Sequence, residues 1–256
     1  MAAVGYHCVM WTKVPVSNEP YVRALRLNGL AASFGRKVSY LEIGVETGRT
    51  LLEVQTESSV GVDPHPRFSL DGLPARIEFY KTTSDSYFQF HARENEFDLI
   101  LVDGLHEWEQ AFRDMSNSLW ALAPGGVVVL DDVLPLDEPS ANPDPTVAAA
   151  ARKEGLIAHD CWYGDVWKSL VAVSRYAQGV DFVVVGNRRG RNHGQAYLWK
   201  TVEIPEFQRP VLAASEAKLI EGLVFEDFFH GGSVPRIFPR GRDGSRLWKS
   251  VIRKAK

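Results

Sequence analysis

Three aspartates and one histidine are the residues in this sequence best placed to do chemistry: Asp103, His106, Asp131 and Asp132. Asp103 closes the apolar run Phe97 to Val102, and Asp131-Asp132 close the run Val127 to Leu130. If those runs are adjacent parallel strands, their carboxyl ends lie about 5 Å apart. Three carboxylates brought together repel one another strongly unless a cation sits between them. Oxygen-only ligation favours a hard divalent cation such as Mg2+, which keeps several waters and leaves room for a substrate oxygen. One such aspartate alone would read as a helix cap or a solvated loop acid; three at two neighbouring strand ends read as metal ligands. His106 follows Asp103 by three residues, at the start of a predicted helix. A helix N-terminus and a nearby cation both favour the neutral imidazole, which can act as a general base. The plainer alternative for His106 is a helix-capping or loop histidine.

A second constellation must stand beside the first. Val38 to Ile43 reads as a buried strand, ending in the turn Glu42-Ile43-Gly44-Val45-Glu46-Thr47-Gly48. Arg49 to Val54 starts a helix, and Val60 to Asp63 ends a second strand. Strand, glycine turn, helix, strand is half of a doubly wound α/β sheet, in which ligands sit beyond the carboxyl ends of the strands. Gly44 lets a ligand approach the backbone. Asp63 lies where a carboxylate can hold the two hydroxyls of a ribose. A dinucleotide fingerprint wants three glycines around a pyrophosphate. Here only Gly44 and Gly48 are present, and Glu42 and Glu46 would repel a phosphate. The turn suits a ligand carrying positive charge; the alternative is a packing turn in some other α/β protein.

The pattern Glu42-x-Gly44-x-x-x-Gly48, followed by a strand ending in Asp63, resembles the cofactor motif of class I S-adenosylmethionine-dependent methyltransferases. The segment VDGLHEWEQAFRDMSNSLWALAPGGVVVLDD is similar to the metal-dependent branch of small-molecule O-methyltransferases. That branch includes macrolide and aminocoumarin sugar methyltransferases and a cephalosporin hydroxylase oxygenase component. Gly164-Asp165-Val166-Trp167-Lys168 also resembles a segment of that branch, whereas Leu105 stands where its members often carry an acid. The resemblance implies a seven-stranded, mostly parallel sheet with helices on both faces and an antiparallel last strand. It implies Mg2+, or another hard divalent cation, on Asp103, Asp131 and Asp132, with His106 as base. S-adenosylmethionine would lie along Glu42, Gly44, Gly48, Asp63 and Asp103, with Ser84 and Asp85 reaching the adenine edge. The acceptor would be a hydroxyl of a small molecule or glycan sugar, with Trp162 and Tyr163 either stacking on it or packing in the core. An oxygenase component like the cephalosporin relative, and a non-catalytic cofactor-binding module, are the competing functions.

The 256 residues are 45% hydrophobic and 24% charged, with net charge -3. That profile predicts one globular domain, with an N-terminal helical extension over 1–37, a catalytic core over 38–200 and a C-terminal extension over 201–256. Slight acidity argues against general nucleic-acid binding. Cys8 and Cys161 have no framework spacing, which favours free thiols in a reducing compartment. No secretory signal or membrane-length apolar run is evident, so the expected address is the cytoplasm. Oligomeric state is open, a homo-oligomer included.

The positioning elements follow from pattern. A helix is expected from about Pro20 to Phe34, strands at Arg76–Tyr80 and Phe97–Val102, and a helix from Ser86 to Arg93. Glu107 to Leu122 has helical periodicity, with Trp108, Phe112, Met115 and Leu119 on one face. Pro124-Gly125-Gly126 predicts a turn, and Pro135 to Pro145 a loop beside the site. Helices are expected at Thr146–Glu154 and from Gly164 to Tyr176, the latter capped by Asp165. Strands are expected at Asp181–Val185 and Gln195–Trp199, joined by a basic, glycine-rich hairpin. A helix near Val211 to Leu223 and a basic amphipathic end, Arg246 to Lys254, complete the chain.

Overall fold

Alternation along the strands decides how this chain packs. The computed structural model describes residues 22–185, 194–202, 207–230, 236–237, 249, 251–253 and 255. In β1 (Ser39–Ile43), β4 (Phe97–Val102) and β5 (Leu122–Leu130), successive side chains point to opposite faces of one sheet. Leu41, Ile43, Ile100, Val102, Val128 and Leu130 enter one core. Tyr40, Leu99, Leu101, Val127 and Val129 enter the other. Both faces are covered by helices, which is why these strands read as continuous apolar runs. The first face receives α3 (Ser84–Phe90), α4 (Trp108–Ala121) and α6 (Trp167–Tyr176). The second receives α1 (Val22–Ser33) and α2 (Arg49–Glu53), together with Val251 and Ile252. Trp108, Phe112, Met115 and Leu119 are all buried, as their spacing requires.

The remaining strands are β2 (Ser58–Val62), β3 (Ile77–Tyr80), β6 (Val180–Val185), β7 (Gln195–Lys200) and the two-residue β8 (Arg236–Ile237). The sheet order is β3-β2-β1-β4-β5-β7-β6-β8. The strands β3 to β5 are mutually parallel, and β7 inserts between β5 and β6 antiparallel to both. This is the doubly wound, mostly parallel sheet with a late antiparallel strand expected above. The addition is β8, which pairs parallel to β6 and makes eight strands where seven were expected. The order reverses between β1 and β4, and a crevice opens at such a switch point beyond the carboxyl ends.

Several local expectations change. Pro124-Gly125-Gly126 lies inside β5, beside a register shift against β4 near Phe97, and is no chain-reversing turn. A Cβ on Gly126 would fall 2.8 Å from the Asp98 carbonyl oxygen, so the glycine lets the irregular strand pack closely. The helix expected at 86–93 begins at Ser84, with the Thr83 hydroxyl accepting from the Ser86 amide. α5 (Pro145–Lys153) follows a loop holding one 3-10 turn, Pro139–Ala141. The tail helix is shorter than expected, α7 (Ala214–Glu221), and is followed by α8 (Phe225–His230). The opening residues 1–21, the hairpin at 186–193 and most of the basic end fall outside the described residues, as does Cys8. Among the described residues, no helix is long and apolar enough to cross a membrane.

Candidate active site

The tips of β4 and β5 stand side by side, with the Asp131 amide donating to the Val102 carbonyl at 3.0 Å. Asp103 continues the Leu99–Leu101 row and Asp131 the Val127–Val129 row, both toward the face that α1 covers. Arg23 from α1 meets them there. Its guanidinium pairs with Asp103 through Nη1, and its Nε lies 2.5 Å from Asp131 Oδ2. Asp132 departs from the strand alternation, because its φ of 59° is left-handed. Its Oδ2 stands 3.1 Å from His106 Nε2, and Asp103 Oδ1 stands 4.0 Å from the same nitrogen. Asp103, His106 and Asp132 each offer a ligand atom within 4.8 Å of the others. Asp131 is not in that group; like Asp103, it pairs with Arg23. Burial pushes the Asp103 carboxyl well above the usual range, against the pull of Arg23 and with Asp131, Asp132 and Glu42 repelling it.

His106 is clamped from a distant part of the chain. The half-buried Trp162 stacks on its ring at 4.7 Å between centroids and 26° between planes. The Trp162 indole in turn donates to the Asn142 carbonyl at 2.7 Å, so the 135–145 loop does border the site. The Asp165 amide donates to the His106 carbonyl at 3.3 Å. A Cβ on Gly164 would fall 1.9 Å from that carbonyl oxygen, so this contact requires glycine. Asp165 Oδ1 accepts from the Trp108 amide at 2.8 Å, and Ser169 donates to the Trp108 carbonyl at 3.0 Å. Asp165 therefore caps α4; the cap expected on its own helix is not what its carboxylate makes. His106 Nδ1 is buried with no hydrogen-bond partner among the described residues, and Nε2 faces the carboxylates. Tyr163 is buried in the core.

The glycine turn packs against this cluster. Gly44, at φ 83°, would place a Cβ 2.0 Å from the Asp103 carbonyl oxygen, so its first use is to let the β1 and β4 tips touch. Gly48, at φ 75°, makes room for the Phe68 ring. Asp63 accepts from the amides of Val45 (2.9 Å), Glu46 (2.8 Å) and His65 (2.7 Å). A carboxylate has about four acceptor positions, so one remains for a ligand hydroxyl. Glu42 is buried beneath, accepting from the Tyr40 hydroxyl at 2.7 Å, and burial pushes its carboxyl up to about 8. Ser84 and Asp85 lie at the start of α3, tied to α4 through Gln110 at 3.2 and 3.3 Å. They join the network of Asp114 rather than the carboxylates at the strand tips. Around the turn, Arg49 pairs with Glu53 and Arg67 with Glu46. Among the described residues, the side chains around the turn include the acids Glu42, Glu46 and Asp63, which suits a ligand with positive charge better than a phosphate.

Sequence reasoning missed Arg23 and the stack of Trp162 on His106. Arg23 carried a weak signal: it shares a helix stripe with Leu27, Leu30 and Phe34, all three buried, and a charge on such a stripe needs a partner.

Residues 41–133 match the sequence family described as a methyltransferase domain. No curated protein matches the chain. Among solved structures, cofactor-bound Rv0187 from MTB aligns with a TM-score of 0.52 and 18% identity, over 75% of this chain and 84% of that one. A Klebsiella pneumoniae protein described as an O-methyltransferase aligns at 0.50 and 15% identity, over 73% and 84%. At such identity the likeness is one of fold. The matched segment holds the glycine turn, Asp63, His106 and the strand-tip aspartates, while Arg23 lies outside it. Residues 41–133, roughly a third of the chain, match a methyltransferase domain, and the fold as a whole is like that of these solved structures.

Proposed function

We propose that this protein is an O-methyltransferase that transfers the methyl of S-adenosylmethionine to a hydroxyl of a small molecule or glycan sugar, assisted by Mg2+ or another hard divalent cation. The observation that carries this reading is the convergence of Asp103, Asp132 and His106 Nε2 within 4.8 Å, beside the acidic glycine turn of a methyltransferase domain. The donor atoms fit a small cation: adjacent ligands at about 2.1 Å from an octahedral ion stand roughly 3 Å apart, and a hard ion needs only one or two protein carboxylates. When bound, S-adenosylmethionine supplies a methyl on a sulfonium, and the cation makes a coordinated hydroxyl more acidic, as zinc lowers bound water from about 16 toward about 7.

The chain's own residues do the rest. Asp103 and Asp132 hold the cation. Glu42, Gly44 and Gly48 line the amino acid end of the donor, Asp63 offers its remaining acceptor position to the ribose, and Ser84 and Asp85 face the adenine edge. His106 Nε2 takes the hydroxyl proton as the oxygen–carbon bond forms and the carbon–sulfur bond breaks. Trp162 fixes the ring's plane, so the nitrogen waits where the proton leaves.

Methyl transfer from labelled donor to a panel of glycosylated acceptors, with and without chelator, tests the reading. Asp132→Asn and His106→Ala should each lower kcat at least about a hundredfold, within the usual range for a lost general base, while S-adenosylhomocysteine still binds by calorimetry. Full activity in both variants and in chelator would overturn it. A histidine beside two carboxylates also suits iron, which favours an oxygenase as the second reading. Turnover with Mg2+ in the absence of oxygen discriminates against it.

A further inference from the structure

The wall over His106 is built from two irregular segments, and three links between them decide where Trp162 stands. Residues 157–163 form neither helix nor strand, so no periodic structure fixes the Trp162 indole on the His106 ring. The loop after β5 holds it instead. The Trp162 indole donates to the Asn142 carbonyl at 2.7 Å, and the Tyr163 amide donates to the Ser140 carbonyl at 2.9 Å. The third link joins two side chains: His159 Nε2 stands 2.5 Å from Asp137 Oδ2, with His159 only 7% exposed. A backbone amide can only donate, and the Cys161 amide donates to His159 Nδ1 at 3.2 Å. Nδ1 therefore carries a lone pair, the proton sits on Nε2, and Nε2 donates it to Asp137. The Asp137 carboxylate serves two donors, one on each oxygen: the Ser140 amide on Oδ1 at 2.9 Å and the imidazole on Oδ2. Ser140 is wholly buried, and its hydroxyl donates back to the Asp137 carbonyl at 3.0 Å.

We infer that Asp137 and His159 form the latch that keeps Trp162 stacked on His106, and that they are thereby a positioning pair for the base. This rests on the methyl-transfer reading above and deepens it. Both residues act through Trp162: His159 lies three residues before it, and Asp137 five residues before Asn142, which accepts from its indole. A buried hydrogen-bonded pair is costly to half-break, because the partner left behind stays unsatisfied. That cost falls on loop and strap together, and gives an irregular stretch of chain one resting place against the imidazole. With the latch closed, the indole covers one face of the His106 ring and holds its plane. With the latch open, the strap keeps two of its three links to the loop, and the ring gains freedom that the reaction must then remove.

Proton NMR of the full chain, paired with methyl-transfer kinetics, tests this. The face of an indole shields protons that lie over it, so the His106 ring protons, assigned by their loss in His106→Ala, report the stack without any ligand. Asp137→Asn leaves one oxygen for two donors. His159→Asn keeps an acceptor for the Cys161 amide but is too short to reach Asp137. In both variants the His106 ring protons should move toward their positions in Trp162→Ala. In both, kcat on the glycosylated acceptors should fall about tenfold, with S-adenosylhomocysteine affinity within about twofold of the parent. His159→Gln, whose amide nitrogen reaches where Nε2 stood, should keep the shielded positions and most of kcat. The double variant Asp137→Asn/Trp162→Ala should fall no further than Trp162→Ala, whereas an independent role would multiply the losses. If the His106 protons keep their parent positions in both single variants, or the double variant loses about a further tenfold, the inference falls while the methyl-transfer reading stands. If the protons move as expected but the parent transfers no methyl to any acceptor, the latch stands and the methyl-transfer reading falls. The two single variants open the latch from opposite sides, so either decides the question if the other folds poorly.

Discussion

Glu42 shows how a single side chain at this site ties charge to stability. Its carboxyl is wholly within the protein, and burial lifts it from 4.5 to about 8. A carboxyl with a raised folded value binds more protons folded than unfolded across that interval. Its contribution to stability is therefore present at low pH and lost as pH rises from about 4.5 to about 8. Denaturant titrations between pH 5 and pH 8 should show this fall, and Glu42→Gln should flatten it. Gly164→Ala should lower the melting temperature by roughly 5 °C and depress kcat, since a left-handed backbone costs about 1–3 kcal/mol and the new Cβ strikes the His106 carbonyl. Scanning calorimetry and steady-state kinetics check both halves. At this scale the sequence was informative wherever a residue acts close to its own neighbours. Asp103, His106, Asp131 and Asp132 could be grouped because each ends or follows an apolar run. The pairing of Asp131 with Arg23 could not, because nothing local ties a helix near the beginning of the chain to the tip of β5.

Between elements, the segment around Gly164 matters more for what it holds than for the helix it opens. Asp165 satisfies the Trp108 amide at the start of α4, one of the donors a helix cannot satisfy itself. Loss of such a cap costs about 1 kcal/mol, or roughly 2–4 °C in a domain of this size. Asp165→Ala should show at least that loss, and should also lower kcat, because α4 begins two residues after His106. Thermal melts paired with kinetics measure the two effects. Trp162→Ala should lower kcat about tenfold while Trp162→Phe retains most of it; equal activity in both would show the stack to be ornamental. The helix from Asp165 onward was legible from its pattern, and a capping aspartate was a fair expectation there. Which helix it caps is a tertiary fact, with 57 residues separating donor and acceptor.

For the molecule as a whole, the doubly wound sheet was legible because both of its faces are covered, and covered parallel strands leave continuous apolar runs in sequence. An antiparallel strand late in the chain was implied by resemblance; β7 is that strand, and it lies between β5 and β6 in the sheet order. β8 was not legible: two residues beside β6 leave no periodicity to read. A ligand that binds only the folded sheet should stabilise all of it together. At a hundred times its dissociation constant, S-adenosylhomocysteine should add about 2.7 kcal/mol, seen as a rise of roughly 5–10 °C in scanning fluorimetry.

The Asp63 carboxylate grips three amides of the chain itself, at Val45, Glu46 and His65. The loop that would wrap a nucleoside is thereby cast in advance. A guest seated there gives up its own freedom but asks almost none from the host, so its association should be quick and its crevice should look the same empty as full.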